Sequence, residues 1–267
     1  MKREIFQNAP LIEMIAEVRW RLTPIASIPN GGIDPFYDIL KQSLIKNTSN
    51  FGYPVIQEIV PPEIPRELLA GTATTQFRKK AGAWPLFQLG PGLFTVNITE
   101  NYTGWTGCFR EEVSLGIKSL YEAHPAPKML QITSIKLIAI DAFSAEHGFR
   151  NYLEYSEGFL DLGRVLPKNF VNQYAIEDES FEVNSETKFQ LKDLKDSIAR
   201  VNISSGKKNN ERALILQTAI ESNKKLDTAE TVMNWFDEAH LVHRSMFRSF
   251  LTEQLKQALD PVEVDNE

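Results

Sequence analysis

From Leu11 the chain alternates. Ile12, Met14, Ala16, Val18, Trp20 and Leu22 fall on one side, and Glu13, Ile15, Glu17, Arg19 and Arg21 on the other. A period of two with one wet face predicts a half-buried β-strand, which needs neighbouring strands and an apolar layer over its greasy side. A Pro- and Gly-containing loop follows. Asp34-Pro35 then reads as a helix start, with Phe36, Ile39, Leu40 and Leu44 as its apolar face. Strand-like pieces follow at Phe51–Val60, Thr72–Lys80, Trp84–Leu89 and Leu93–Thr99. A helix is predicted from Gly107 to Ala123, with Phe109, Val113, Ile117, Leu120 and Tyr121 at helical spacing.

The same order then recurs. Gln131–Phe143 is apolar on both faces and so reads as a central strand. Gly148–Leu162 reads as a helix. Ser180–Leu191, Ser197–Ser204 and Arg212–Glu221 read as strands, the last two forming a hairpin that turns at Gly206–Asn210. A long helix is expected from Asp227 to Leu259, with Asp227 as N-cap and Val232, Phe236, Ala239, His243, Phe247 and Phe250 on one stripe. The sequence thus predicts an α+β protein of two similar strand–helix–strands–helix halves, residues 1–127 and 128–267. Mainly antiparallel sheets, each covered by helices, are expected.

Composition narrows the function classes. The chain has 267 residues and a net charge of −6, which argues against coating nucleic acid by bulk charge. No run of apolar residues reaches membrane-spanning length and no signal peptide opens the chain, so a cytoplasmic location without membrane attachment is expected. The single cysteine, Cys108, excludes an intrachain disulfide and fits a reducing compartment; its place near a helix start is better read as a bland thiol than as an activated one. Phosphate-binding, dinucleotide-binding, nucleophile-elbow and zinc-protease motifs are absent. No cofactor and no metal are expected, and an enzyme is the less favoured reading.

The stretch Asn8-Ala9-Pro10-Leu11-Ile12-Glu13-Met14-Ile15-Ala16-Glu17-Val18-Arg19-Trp20 resembles a particular family, supported by Leu93-Phe94-Thr95-Val96-Asn97 and by Trp235-Phe236-Asp237-Glu238-Ala239-His240. It is similar to sporadically distributed, uncharacterised bacterial proteins of comparable length that open with Pro-Leu-[IV]-Glu-x-x-x-Glu-[IV]-Arg. The resemblance carries no activity over. It implies a link to mobile, defence or toxin–antitoxin-like gene modules. Where those relatives carry Arg-Tyr-Ile-Asn, this chain has Leu137-Ile138-Ala139-Ile140-Asp141.

Several residues are candidates for chemistry, each beside a plainer reading. Glu13, Glu17 and Arg19 share a strand face that could bind a charged ligand, or could be a solvated face laced with weak pairs. Asn97, with Trp105 nearby in sequence, could read a base or peptide, or simply order a turn. Lys79-Lys80, Lys207-Lys208 and Lys224-Lys225 lie at predicted turns and could form an anion-binding rim, or serve solubility. Asp141 in an apolar strand and His240 on the last helix are the candidate catalytic groups, a buried carboxylate being enriched at sites; the plainer reading puts Asp141 at the wet end of its strand. His240 and His243 could pair on a metal, or could border and fill the core. The sequence favours a non-catalytic interaction protein acting on a protein partner or on itself. A small-ligand sensor or enzyme is one alternative; a nucleic-acid binder using the lysine turns is the other.

Overall fold

The alternating segment forms β2 (Leu11–Trp20), and its apolar residues Met14, Ala16, Val18 and Trp20 are buried. The computed structural model of the chain describes residues 2–29, 31–99, 102–160, 162, 173 and 181–265. The remaining strands are β1 (Lys2–Phe6), β3 (Thr23–Pro24), β4 (Gly32–Ile33), β5 (Val55–Glu58), β6 (Thr75–Arg78), β7 (Leu86–Gly90), β8 (Leu93–Ile98), β9 (Ile132–Phe143), β10 (Asn184–Gln190), β11 (Ser197–Lys208), β12 (Glu211–Ser222) and β13 (Pro261–Asp265). Among the described residues the α-helices are α1 (Tyr37–Asn50), α2 (Arg110–Ala123), α3 (Tyr152–Gly158), α4 (Ala229–Phe250) and α5 (Glu253–Ala258).

Nine strands form one antiparallel sheet in the order β10-β11-β12-β9-β2-β8-β7-β6-β5. The sequence predicts separate sheets; the structure joins them. β2 and β9 pair antiparallel at the centre, with Ile15 opposite Ile138. Each would otherwise carry an open hydrogen-bonding edge, and pairing satisfies both. β8 lies outside β2 and β12 outside β9. β1 and β13, which the sequence reading does not anticipate, form a separate two-stranded ribbon of the chain termini.

The helices cover one face of the sheet. Phe94 and Val96 of β8, Phe87 of β7, Leu137 of β9 and Ile220 of β12 pack with Leu40 and Leu44 of α1, Val113 and Ile117 of α2, and Val232 and Phe236 of α4 in one cluster. A second cluster joins Phe143, Tyr155, Leu214 and Leu216 to Leu255 of α5. Gly116 of α2 sits so close to the sheet that a Cβ there would lie 2.6 Å from Val96 Cγ2.

Helix boundaries depart from expectation for identifiable reasons. α1 starts at Tyr37, and it buries Tyr37, Leu40, Leu44 and Thr48 while Ile39 is exposed. Asp34 is more than a cap: it accepts the Phe36 N–H, the Trp20 indole N–H at 2.9 Å and the Gly92 N–H at 3.2 Å. The helix expected over 148–162 begins only at Tyr152, capped by Asn151, because Gly148 turns left-handed at φ 81°. Thr228, not Asp227, caps α4 through a reciprocal bond with Thr231. The last helix also breaks: Leu251 is extended and bridges Leu160, and the Thr252 hydroxyl donates to the Phe159 carbonyl at 2.9 Å before α5 begins. Ser180, where the sequence starts a strand, and Asp161, near the end of the expected helix, lie outside the described residues. No helix among the described residues is long and apolar enough to cross a membrane.

Candidate functional site

Strand alternation sends every second side chain of β2 to the face opposite the helices. Register then lines up one row across the sheet: Gln76 of β6, Gln88 of β7, Thr95 of β8, Glu17 of β2, Lys136 of β9 and Glu221 of β12 are successive cross-strand partners. Around this row the charges alternate in sign. Arg19 holds Glu17 with two bonds, Nε to Oε1 at 2.7 Å and Nη2 to Oε2 at 3.1 Å. Lys136 Nζ lies 3.6 Å from Glu17 and 4.0 Å from Glu221. Arg200 of β11 reaches Glu221 at 3.9 Å and Glu186 of β10 at 2.7 Å. Three cations and three anions thus form one ladder over five strands, and Glu17 itself is buried. The ladder carries no surplus charge, but it presents directional donors and acceptors beside the half-buried Ile15 and Ile138.

Asn97 belongs to the same face. Its Nδ2 donates to Glu13 Oε1 at 2.8 Å and its Oδ1 accepts from the Thr95 hydroxyl at 2.6 Å. Asn97, which the sequence sets apart from the face of Glu13, Glu17 and Arg19, therefore joins them. Lys136, Glu221, Arg200 and Glu186 are the members that sequence reasoning missed. The available signal was a lone charge inside an otherwise apolar strand, as at Lys136 in β9.

Trp105 lies elsewhere. A kinked segment, Trp105–Phe109, in which Thr106 and Gly107 leave helical geometry with Gly107 at φ 79°, leads into α2 and lodges the indole against α4. Its Nε1–H donates to Asp237 Oδ1 at 2.8 Å, while Arg110 grips both oxygens of Asp237 at 2.7 Å. Burial pushes the Asp237 carboxyl up, but the bonds from Arg110 and Trp105 outweigh it and hold the group below its ordinary range. His240 stacks on Trp105 with centroids 4.8 Å apart and planes 8° from parallel. The Trp105–Arg110–Asp237–His240 group is thus a clasp between α2 and α4. His243 turns inward, with Nε2 2.7 Å from the Thr218 hydroxyl, and burial pushes its pKa down to about 4. Among the described residues no group of three or more His, Cys, Asp or Glu is arranged to hold a metal ion.

Asp141 is on the covered face, 3% exposed, where its register partners are Leu11 and Leu216. Its Oδ2 has no hydrogen-bond partner, and burial pushes its pKa up to about 7. A cavity of about 280 Å³ lies at Gly148, Arg150, Glu154, Tyr155, Phe159 and Gln254; neither Asp141 nor His240 lines it.

The lysine pairs do not converge. Lys79-Lys80 at the β6–β7 turn and Lys207-Lys208 at the β11–β12 hairpin share one end of the sheet, but five strand spacings of ~4.8 Å keep them roughly 24 Å apart. Lys224-Lys225 follow β12 at the opposite end. Three of these lysines are bridged: Lys79 to Glu112 at 2.5 Å, Lys208 to Glu146, and Lys225 to Asp227 at 3.5 Å.

Comparison with protein-family models, curated proteins and solved structures returns no match for the chain.

Proposed function

We propose that this is a non-catalytic binding protein that recognises a protein partner through the open face of its sheet. It would act within a bacterial module of the defence or toxin–antitoxin-like kind that the opening motif suggests. The observation that carries this reading is the ladder Arg19–Glu17–Lys136–Glu221–Arg200–Glu186. Five strands are needed to build it, its geometry is fixed by strand register, and no reacting group lies in it. Such a face selects by position of charge rather than by chemistry, which is how interfaces gain specificity. The single cysteine, compatible with a reducing compartment, supports a cytoplasmic location.

The proposal includes an internal duplication. In support, β2 and β9, one from each half, lie side by side and antiparallel at the centre. β8 of the first half lies just outside β2, and β12 of the second half just outside β9.

The test is affinity capture from native cells with the natural protein and with a Lys136→Glu/Arg200→Glu variant of unchanged circular dichroism. A stoichiometric protein lost with the variant is expected. Equal capture by both overturns the use of this face. Nucleic-acid binding that survives ~0.2 M salt overturns the protein-partner reading. A ligand or enzyme pocket at Asp141 is the second reading, favoured by the unpartnered buried Oδ2. A small molecule whose thermal stabilisation vanishes in Asp141→Ala would establish it.

A further inference from the structure

Among the described residues β10 is the outermost strand on one side of the sheet, and six of its seven residues are exposed. Ladder bonds show which way its backbone points. The Ser205 N–H donates to the Val183 carbonyl at 2.8 Å and the Leu191 N–H donates to the Ser197 carbonyl at 3.0 Å. Antiparallel pairing alternates, so the odd-numbered residues from Val183 to Leu191 turn N–H and C=O toward β11. The even-numbered Asn184, Glu186, Lys188 and Gln190 turn theirs outward.

We infer that this edge pairs with the same edge of a second copy, antiparallel and centred on Thr187. The sequence Asn-Ser-Glu-Thr-Lys-Phe-Gln is self-complementary in that register. Glu186 of one copy falls opposite Lys188 of the other, twice, and both pairs use the outward-facing amides. Thr187 meets its own copy, a favoured cross-strand pair, and Asn184 meets Gln190. Shifting the register by one pair in either direction centres it on Glu186 or on Lys188 and sets like charges against each other, so charge selects the Thr187-centred register.

Lys188 supports the same pairing from within the protomer. Its own neighbour across the ladder is the like-charged Arg200, and it has no carboxylate partner among the described residues. Glu186 of the second copy supplies one, and the charge ladder of the open face continues into the second copy. Charge on an edge strand usually blocks pairing. A block is built from like charges, however, whereas here two opposite charges stand two residues apart. The far edge of the sheet is blunted by other means: β5 has four residues and lies between Pro54 and Pro61. The dimer does not depend on the open face having another partner.

A single strand pair buries less than the ~1,200 Å² of a standard interface, so a dissociation constant on the order of 10 μM is expected. Sedimentation at about 100 μM protein, well above that constant, should show a dimer. Lys188→Glu and Glu186→Lys should each sediment as monomers, because each sets four like charges at the contact. An equimolar mixture of the two variants should restore a one-to-one dimer. A monomeric natural protein at that concentration, variants that dimerise undiminished, or a mixture that stays monomeric would each overturn the inference.

Discussion

Asn97 donates to Glu13 at 2.8 Å across the β8–β2 pair, between residues 84 positions apart in the chain. Each of these side chains stands out in the sequence only as a separate candidate. Together they fix the polarity of a buried stretch of the face opposite the helices: Asn97 is 4% exposed, and its carboxamide also accepts from the Thr95 hydroxyl. A buried amide that loses its partners costs more than the bond it made.

Asn97→Ala should therefore lower stability by about 1–3 kcal/mol, read from urea unfolding. Asn97→Asp should cost more at neutral pH, since it sets a second carboxylate against Glu13. Repulsion raises the pKa of the carboxyl introduced at position 97, so the deficit of Asn97→Asp should shrink as pH falls from neutral toward the usual carboxylate range. A deficit that does not change with pH would show that Glu13 is not its neighbour in solution.

Asp237 ties two helices through three hydrogen bonds, one from Trp105 and two from Arg110. Asp237→Ala leaves the indole N–H of a buried tryptophan without an acceptor. The expected loss is about 1–3 kcal/mol, with a change in tryptophan fluorescence as Trp105 loosens from His240. Arg110→Ala should cost less alone, because the Trp105 bond survives. The two substitutions should be less than additive, which a double-mutant cycle measures.

Gly116 provides a test of packing in which propensity and sterics disagree. In an exposed helix interior Gly→Ala stabilises by roughly 1 kcal/mol. Here the added methyl would sit 2.6 Å from Val96 Cγ2, 3.2 Å from Phe94 and 3.3 Å from Phe87, all in the core. Overpacking of this kind costs about 1–3 kcal/mol, so Gly116→Ala should lower the melting temperature. A rise would mean that α2 rides higher on the sheet than described.

Most of the fold was legible in the sequence because its elements announce themselves by period. The alternation in β2, the two-faced apolar run of β9 and the stripe on α4 each depend on local order alone. Fusion into one sheet was not legible, since whether the β2 edge pairs with β9 is a long-range choice that neither strand encodes separately. The break at Leu251 was hidden for the same reason: it is set by the docking of Thr252 on Phe159. The candidate site was half visible. Glu13, Glu17, Arg19 and Asn97 are conspicuous one at a time, but Lys136, Glu221, Arg200 and Glu186 acquire meaning only through register. The terminal ribbon of β1 and β13 gave no periodic signal, each strand having five residues.

Two buried groups set opposite slopes in the pH dependence of stability. Burial raises Asp141 from 3.8 to about 7, so the folded protein keeps a proton that the unfolded chain releases. That stabilisation is fully present below pH 3.8 and fades as pH rises toward 7, at about 1.4 kcal/mol per pH unit at most. Burial lowers His243 from 6.5 to about 4, so the unfolded chain takes up a proton that the folded protein refuses. Its contribution is complete above pH 6.5 and is lost as pH falls toward 4. Between those limits the two slopes oppose each other. His124 and His147, both lowered chiefly by burial, add to the acid-side loss. Asp141→Asn removes one slope and leaves the histidine slopes exposed. The variant should therefore gain stability relative to the natural protein as pH rises from 5 to 8, and its own unfolding free energy should climb more steeply between pH 4 and 6.5. Urea unfolding across that range measures both. A difference between the two proteins that stays constant with pH would show that Asp141 titrates alike in the folded and unfolded chains.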